Sequence, residues 1–355
     1  MYLIKKILIF SLLIPYSVLF AQDTTISIQN SIHNTIASNS NSINYSLQTL
    51  NYKFSTPRDK EYTILASKPI NVNTERLLID GTTWRTYSDV DYLRLSSMLG
   101  VMAVTNTVAY MYQRKVWYTQ ETTVFHSLDF MTDWNKYQQM DKFGHFTDAY
   151  FTSDLSAKIY RWSGISGEGS VYYGALTGWL WMLEIEISDA FMAEWGFSWG
   201  DMAANTAGSL FFILQQFNYD ALGGIQPKFS WHKSQAWKDM RYHKDPQALI
   251  EDYEGMTFWL TVNPYHYIPE SWKSNYSNWL APLGLAFGVS AKDIGWFPWG
   301  GYKEYSIGLD LDLRKLPIWG DSGLMKFIVS EVNFIRLPMP TIRFTPQGTW
   351  VGFYF

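Results

Sequence analysis

The 355 residues contain no cysteine. That absence excludes disulfides, thiolate metal ligands and an acylated lipoprotein cysteine within this sequence. Charge is also scarce: Asp, Glu, Lys and Arg make up 17% of the chain, and the net charge is −4. No basic block occurs, so nucleic-acid binding is set aside as a function class. Histidine is rare, with six in all. Two catalytic signatures are missing. There is no Gly-x-Ser-x-Gly elbow. The Gly-rich "GISGEG" (Gly164 to Gly169) lacks the Lys-Ser/Thr of a phosphate loop and follows a helical stretch, so it reads as a loop. No internal repeat is visible.

Aromatic residues are abundant: 17 Trp, 24 Tyr and 22 Phe, together 18% of the chain. Such a load suits a membrane interface, where Trp and Tyr put a ring in lipid and a polar tip in water. The N-terminus reads as a secretory signal over residues 1–21. Lys5 and Lys6 give a positive start, Ile7 to Phe20 form an apolar run, and Ala21 offers a small residue before a cut. The alternative is an uncleaved anchor. Residues 22–90 read as a polar linker with strand signals at Ile43 to Phe54 and Tyr62 to Ser67.

From Asp91 the texture becomes helical. One long helix is expected over "DYLRLSSMLGVMAVTNTVAYMYQRKVW". Three more are expected over Lys142 to Arg161, Ser170 to Ala193 and Trp199 to Phe217, with Gly164, Gly167 and Gly169 breaking the first two of these apart and Ser198 as N-cap of the last. Val171 to Met192 is long enough to span a membrane but carries Glu184, Glu186 and Asp189, each costing roughly 2.5–3.5 kcal/mol at mid-membrane. Leu95 to Tyr112 carries no charge but five polar residues and is a marginal span, so a bundle packed on itself is expected for residues 91–222, with a conventional multi-span protein as the alternative.

Residues 223–355 turn β-rich, beginning with a polar stretch from Lys228 to Asp252. Leu283, Leu285, Phe287 and Val289 then alternate with Gly284, Ala286, Gly288 and Ser290. Ile307, Leu309, Leu311 and Leu313 alternate with Gly308, Asp310, Asp312 and Arg314. Strict period-two alternation of this length is a strand pattern. The terminal Val351, Phe353 and Phe355 resemble the closing strand of an outer-membrane barrel, whose apolar face meets lipid. The competing reading is an ordinary sheet with that apolar face buried. The expected class is thus α+β: about four helices, then an antiparallel β-rich region that eight strands would allow to close as a small outer-membrane-type barrel.

Polar pairs recur on the helices. Asp141 and His145 are i and i+4, with Asp148 at i+7; Glu186 and Asp189 are i and i+3; Asp201 and Asn205 are i and i+4, with Gly208 beyond. Each pair shares a helix face. Buried carboxylates need a cation, a hydrogen-bond donor or each other. Three outcomes stay open. The groups could form a purely structural polar network; Asp141, His145, Glu186, Asp189 and Asp201 could hold a divalent metal; or His145 with Asp141 and Lys142 could perform acid–base work, Lys142 neutralising a carboxylate or holding an anionic group. Ser198 and Asn205 read as structural polar residues, and the Gly174-x-x-x-Gly178 pair as close helix packing.

"DKFGHF", "EISD" and "WGFSWGDMAANTAG" together resemble the YfiM-like family of predicted periplasmic proteins (domain of unknown function 2279). The matching positions are Asp141, Lys142, His145 and Phe146; Glu186 and Asp189; Ser198, Trp199, Asp201, Asn205 and Gly208. The order is more distantly similar to VanZ-like membrane proteins. The resemblance spans roughly Met140 to Phe217. This chain departs from the pattern in lacking the lipoprotein cysteine and in carrying a long β-rich C-terminal region, and Ile185 stands where a Lys often precedes the Glu. The resemblance implies an exported location, in the periplasm or outer membrane of a Gram-negative-type envelope.

The reading that follows is an exported envelope protein with a structural or accessory role at the outer membrane and a buried Asp/His/Glu/Asn cluster, with membrane lipid or envelope components as partners. The alternative is a metal- or His-dependent hydrolase or transferase acting on a lipid-linked or cell-wall precursor.

Overall fold

The computed structural model describes residues 76–116, 118, 121–239, 252–294 and 300–354. The signal over 1–21 and the strand signals before Ser67 lie outside these residues. The fold is carried by the unit Leu77–Phe355, which is α+β.

Six helices matter here: α1 (Tyr92–Val116), the short α2 (Phe130–Asn135), α3 (Met140–Trp162), α4 (Gly167–Asp189), α5 (Trp199–Phe217) and α6 (Gly323–Val332). Helix α4 starts and stops earlier than its sequence pattern. Ser166 caps it by accepting from Gly169 N at 3.1 Å, so Gly167 and Gly169 lie inside its first turn, and only Gly164, at φ +91°, makes the break. It stops at Asp189 because the chain then pairs with residues 121–126: Thr123 N donates to Phe191 O and His126 N to Ala190 O.

Helices α3, α4 and α5 form the packed centre. Their core joins Tyr150, Ala157, Val171, Ala175 and Phe212 with Phe334. The α3–α4 approach is set by glycine. A Cβ on Gly174 would stand 2.6 Å from Ala157 Cβ, and one on Gly178 would stand 2.7 Å from the Ser153 backbone nitrogen. Gly208 does the same for α5, where a Cβ would fall 2.2 Å from Phe146 O. Helix α1 lies largely exposed, with Val101, Val104, Val108 and Met111 on one solvent-accessible stripe. It is tied to α4 by Asn106, which donates to Glu184 at 2.9 Å. Among the described residues no helix is long and apolar enough to cross a membrane.

The β-region is one antiparallel meander: β1 (Ile225–Trp231), β2 (Met256–Val262), β3 (Leu283–Lys292), β4 (Tyr302–Leu311), β5 (Met339–Thr345) and β6 (Gly348–Tyr354). It is an open sheet, not the closed barrel considered from sequence. The far edge of β1 is met by residues 334–336, where Phe229 N donates to Phe334 O at 2.8 Å and Arg336 N to Phe229 O at 2.9 Å. Strand β1 occupies part of the stretch that looked merely polar, because Gln226, Lys228 and Ser230 point into the protein.

The sheet's two faces are inverted relative to a soluble sheet. On the outer face Leu260, Phe287, Ile307, Ile342 and Val351 line up in register across five strands, and all five are exposed. The adjacent inward row is Thr261, Ala286, Gly308, Thr341 and Gly352. Buried charged groups on the inner face have polar partners. Lys228 donates to Asp310 at 2.8 Å and Asn333 at 3.2 Å. Arg336 donates to Leu309 O, Thr341 Oγ1 and Tyr354 O, and its guanidinium lies 3.8 Å from the centroid of the Trp259 ring.

Candidate functional site

The site forms where the start of α3, the end of α4 and the start of α5 meet, with α2 folded over them. Asp129 caps α2 by accepting from Thr132 N at 2.9 Å. Three consecutive non-glycine residues, Tyr137, Gln138 and Gln139, then take positive φ of 49°, 55° and 58°. Each left-handed residue of this kind costs about 1–2 kcal/mol. The turn is held from outside: Tyr137 stacks on Tyr253 at 4.7 Å and Gln138 donates to Gly300 O at 3.1 Å. Its effect is to reverse the chain so that Asp133 reaches the first turn of α3.

There Lys142 is buried. Its ammonium donates to Asp133 Oδ1 and Asp141 Oδ2, both at 2.8 Å, and stands 3.2 Å from Asp201 Oδ1. Three carboxylates thus surround one cation, and Lys142 has no free face for an anionic substrate. Burial alone would depress the Lys142 ammonium, but Asp141 and Asp201 outweigh it and raise it above its ordinary value. Asp141 is pushed up to about 6 by burial and by Asp201, against the pull of Lys142.

Ser198 joins the parts. Its Oγ donates to Asp133 Oδ2 at 2.6 Å and accepts from Asp201 N at 2.9 Å, which makes it the N-cap of α5. Its backbone N–H donates to Glu186 Oε2 at 3.1 Å. Asp201 in the first turn of α5 also sits where a helix terminus favours negative charge.

His145 lies beside this network with a fifth of its side chain exposed. Nδ1 is 3.0 Å from Oδ1 of the fully buried Asn205 and 3.6 Å from Glu186 Oε1. Because an amide oxygen only accepts, Nδ1 carries the proton, and Nε2 is left facing Asp201 Oδ1 at 3.9 Å. Burial would lower the imidazole, but Asp201, Glu186, Asp141 and Asp148 outweigh it and raise it to about 9. Burial pushes Glu186 up to about 8 and Asp189 up to about 7, with His145 opposing both.

Two sets of metal-ligand-type atoms therefore come together, each within 4.8 Å: His145, Glu186 and Asp201, and Asp133, Asp141 and Asp201. The fold brings Asp141, Lys142, His145, Glu186, Ser198, Asp201 and Asn205 into one network. Asp189 stays outside both sets, beside Tyr118, and Asp148 is exposed. The member missed from sequence is Asp133. Nothing in "DFMTDWN" marks it, since its role depends on the left-handed turn.

Residues 130–216 match the family described as "Predicted periplasmic lipoprotein (DUF2279)". No curated protein and no solved structure matches the chain. The DUF2279 segment runs from the first residue of α2 to the last turn of α5, so it holds every member of the network, Asp133 included. It leaves out α1 and the whole sheet. The family description is consistent with an exported, periplasmic location. Its lipoprotein label has no counterpart here, because the 355 residues offer no cysteine to acylate.

Proposed function

We propose that this chain is an exported envelope protein seated at the outer membrane through the outer face of its sheet, where its role is structural or accessory. In this reading the Lys142–His145 network organises the DUF2279 module. The observation that carries it is the exposed row Leu260, Phe287, Ile307, Ile342 and Val351, backed by the inward row of small and polar residues. A contiguous apolar face of this kind marks an interaction surface. Apolar-out, polar-in alternation is the arrangement that lipid selects. Trp272 and Trp279, both well exposed, lie in the connection that enters β3, where an aromatic side chain would meet a lipid interface.

The cysteine-free sequence makes a direct test clean. Single cysteines are placed at successive positions 284–289 and 305–310, spin-labelled, and read for oxygen against nickel-chelate accessibility in outer-membrane lipid vesicles. The expected result is a period of two, with 285, 287, 307 and 309 accessible to oxygen and shielded from the chelate. Equal chelate access at all positions, with the protein recovered in the soluble periplasmic fraction, rejects the seat.

A second reading, acid–base work at His145 on a lipid-linked or cell-wall precursor, is favoured by one observation. The ring is oriented by Asn205 through Nδ1, while part of it reaches solvent. Under this reading His145→Ala stays folded and membrane-associated but fails to complement a deletion strain. Full complementation rejects it.

A further inference from the structure

The two carboxylate sets share Asp201 but differ in what fills them. The ammonium of Lys142 already occupies the set made by Asp133, Asp141 and Asp201. The other set has no cationic side chain at its centre. Asp201 is 8% exposed; its Oδ1 lies 3.2 Å from the Lys142 ammonium and 3.9 Å from His145 Nε2, and no side-chain or backbone donor is aligned on it as a hydrogen bond. Four buried carboxyl groups (Asp133, Asp141, Glu186 and Asp201) share one lysine, and Glu186 pairs with no lysine or arginine among the described residues.

We propose that His145, Glu186 and Asp201 hold one divalent first-row cation of the Zn2+ or Mn2+ class. One imidazole nitrogen and two carboxylates form a borderline donor set, suited to these ions rather than to Ca2+. The supporting contacts are those that metal ligands need. Asn205 fixes the ring through Nδ1 and leaves Nε2 as the donor; the Ser198 N–H holds Glu186 Oε2 and leaves Oε1 turned toward the imidazole. Groups that orient ligands in this way tune metal affinity. One ring nitrogen of His145, one Glu186 oxygen and one Asp201 oxygen lie within 4.8 Å of one another, with Asp201 Oδ1 3.9 Å from Nε2, a spread that small side-chain rotations close around an ion. The partly exposed edge of His145 supplies an entry path. This inference does not depend on the membrane seat, and the two fail separately.

The test uses the full chain in detergent, stripped with a chelator, reloaded with Zn2+ alone or Mn2+ alone, desalted and counted by mass spectrometry of the metal. One ion per chain is expected. His145→Asn and Glu186→Gln should each weaken binding at least tenfold, and Asn205→Ala should weaken it by about 10–100-fold. Should a variant fail to fold, pulsed EPR of the Mn2+-loaded wild type decides: coupling to one imidazole nitrogen is expected. Absence of a stoichiometric ion, full retention by both ligand variants, or no nitrogen coupling would each overturn the proposal.

Discussion

Lys142 donates to Asp133 across 2.8 Å, nine positions back in the chain, and the segment between them turns through three left-handed positions. The pair is buried, and the same ammonium serves Asp141 and Asp201. Removing one partner from a buried ion pair strands the other and costs about 3–5 kcal/mol. Lys142→Met is therefore expected to destabilise the protein by that amount in urea unfolding. Adding Asp133→Asn to it should recover part of the loss. Strict additivity in the double-mutant cycle would mean that the two side chains do not interact.

The contact between α3 and α4 predicts a steric effect. A Cβ on Gly178 would lie 2.4 Å from Ser153 Oγ and 2.7 Å from the Ser153 backbone nitrogen. Gly178→Ala should cost about 1–3 kcal/mol, the usual range for overpacking. Because the backbone nitrogen is part of the clash, Ser153→Gly should not rescue it. Complete rescue in thermal unfolding would show that the hydroxyl alone sets the spacing.

Acid sensitivity is expected at Asp312. Burial pushes its carboxyl up, but the Arg314 guanidinium, bonded to it at 2.8 Å, outweighs burial and holds it at about 2 against an ordinary 3.8. A carboxyl held below its unfolded value stabilises the fold at pH above that value, and the contribution fades as pH falls through about 2. The shift corresponds to about 2 kcal/mol. Asp312→Asn should lower stability by that much near pH 6, and the gap from wild type should close as pH approaches 2. A gap independent of pH would remove the ionic explanation.

The membrane seat makes a prediction that a water-exposed sheet does not. Phe287 is 46% exposed, and on a surface facing water Phe287→Lys would alter stability by no more than about 0.5 kcal/mol. Against lipid the same lysine costs roughly 2–4 kcal/mol. Partitioning of the variant between vesicles and supernatant separates these outcomes. An unchanged partition argues for water on that face.

Much of the site was legible because its parts lie at helical spacing. Asp141 with His145, and Asp201 with Asn205, each occupy one side of a helix, and Ser198 precedes an apolar helical run as a cap should. Asp133 was not legible. It sits in a short helix joined to the site by a turn that no glycine announces, and its contact with Lys142 exists only because Tyr137 to Gln139 take left-handed backbone. Lys142 allowed two readings, a cation that neutralises a carboxylate or a group that holds an anion, and the structure surrounds it with Asp133, Asp141 and Asp201. Strand β1 was hidden because its inward residues are polar, and hydropathy alone reads such a strand as loop.

The run of four long helices follows from the sequence itself, as does the division of β3 and β4 into an apolar and a small or polar side. Periodicity accounts for this, since a period of 3.6 or 2 assigns residues to shared faces whatever surrounds them. The same symmetry leaves undecided which side turns outward, and only the tertiary structure settles it: the polar side faces in, where Lys228 finds Asp310 and Asn333 and Arg336 finds Leu309 O and Thr341 Oγ1. The meeting of His145, Glu186 and Asp201 is likewise tertiary. These residues are far apart in the chain, and they converge because glycines at 174, 178 and 208 let three helices approach closely enough for short carboxylate side chains to reach one imidazole.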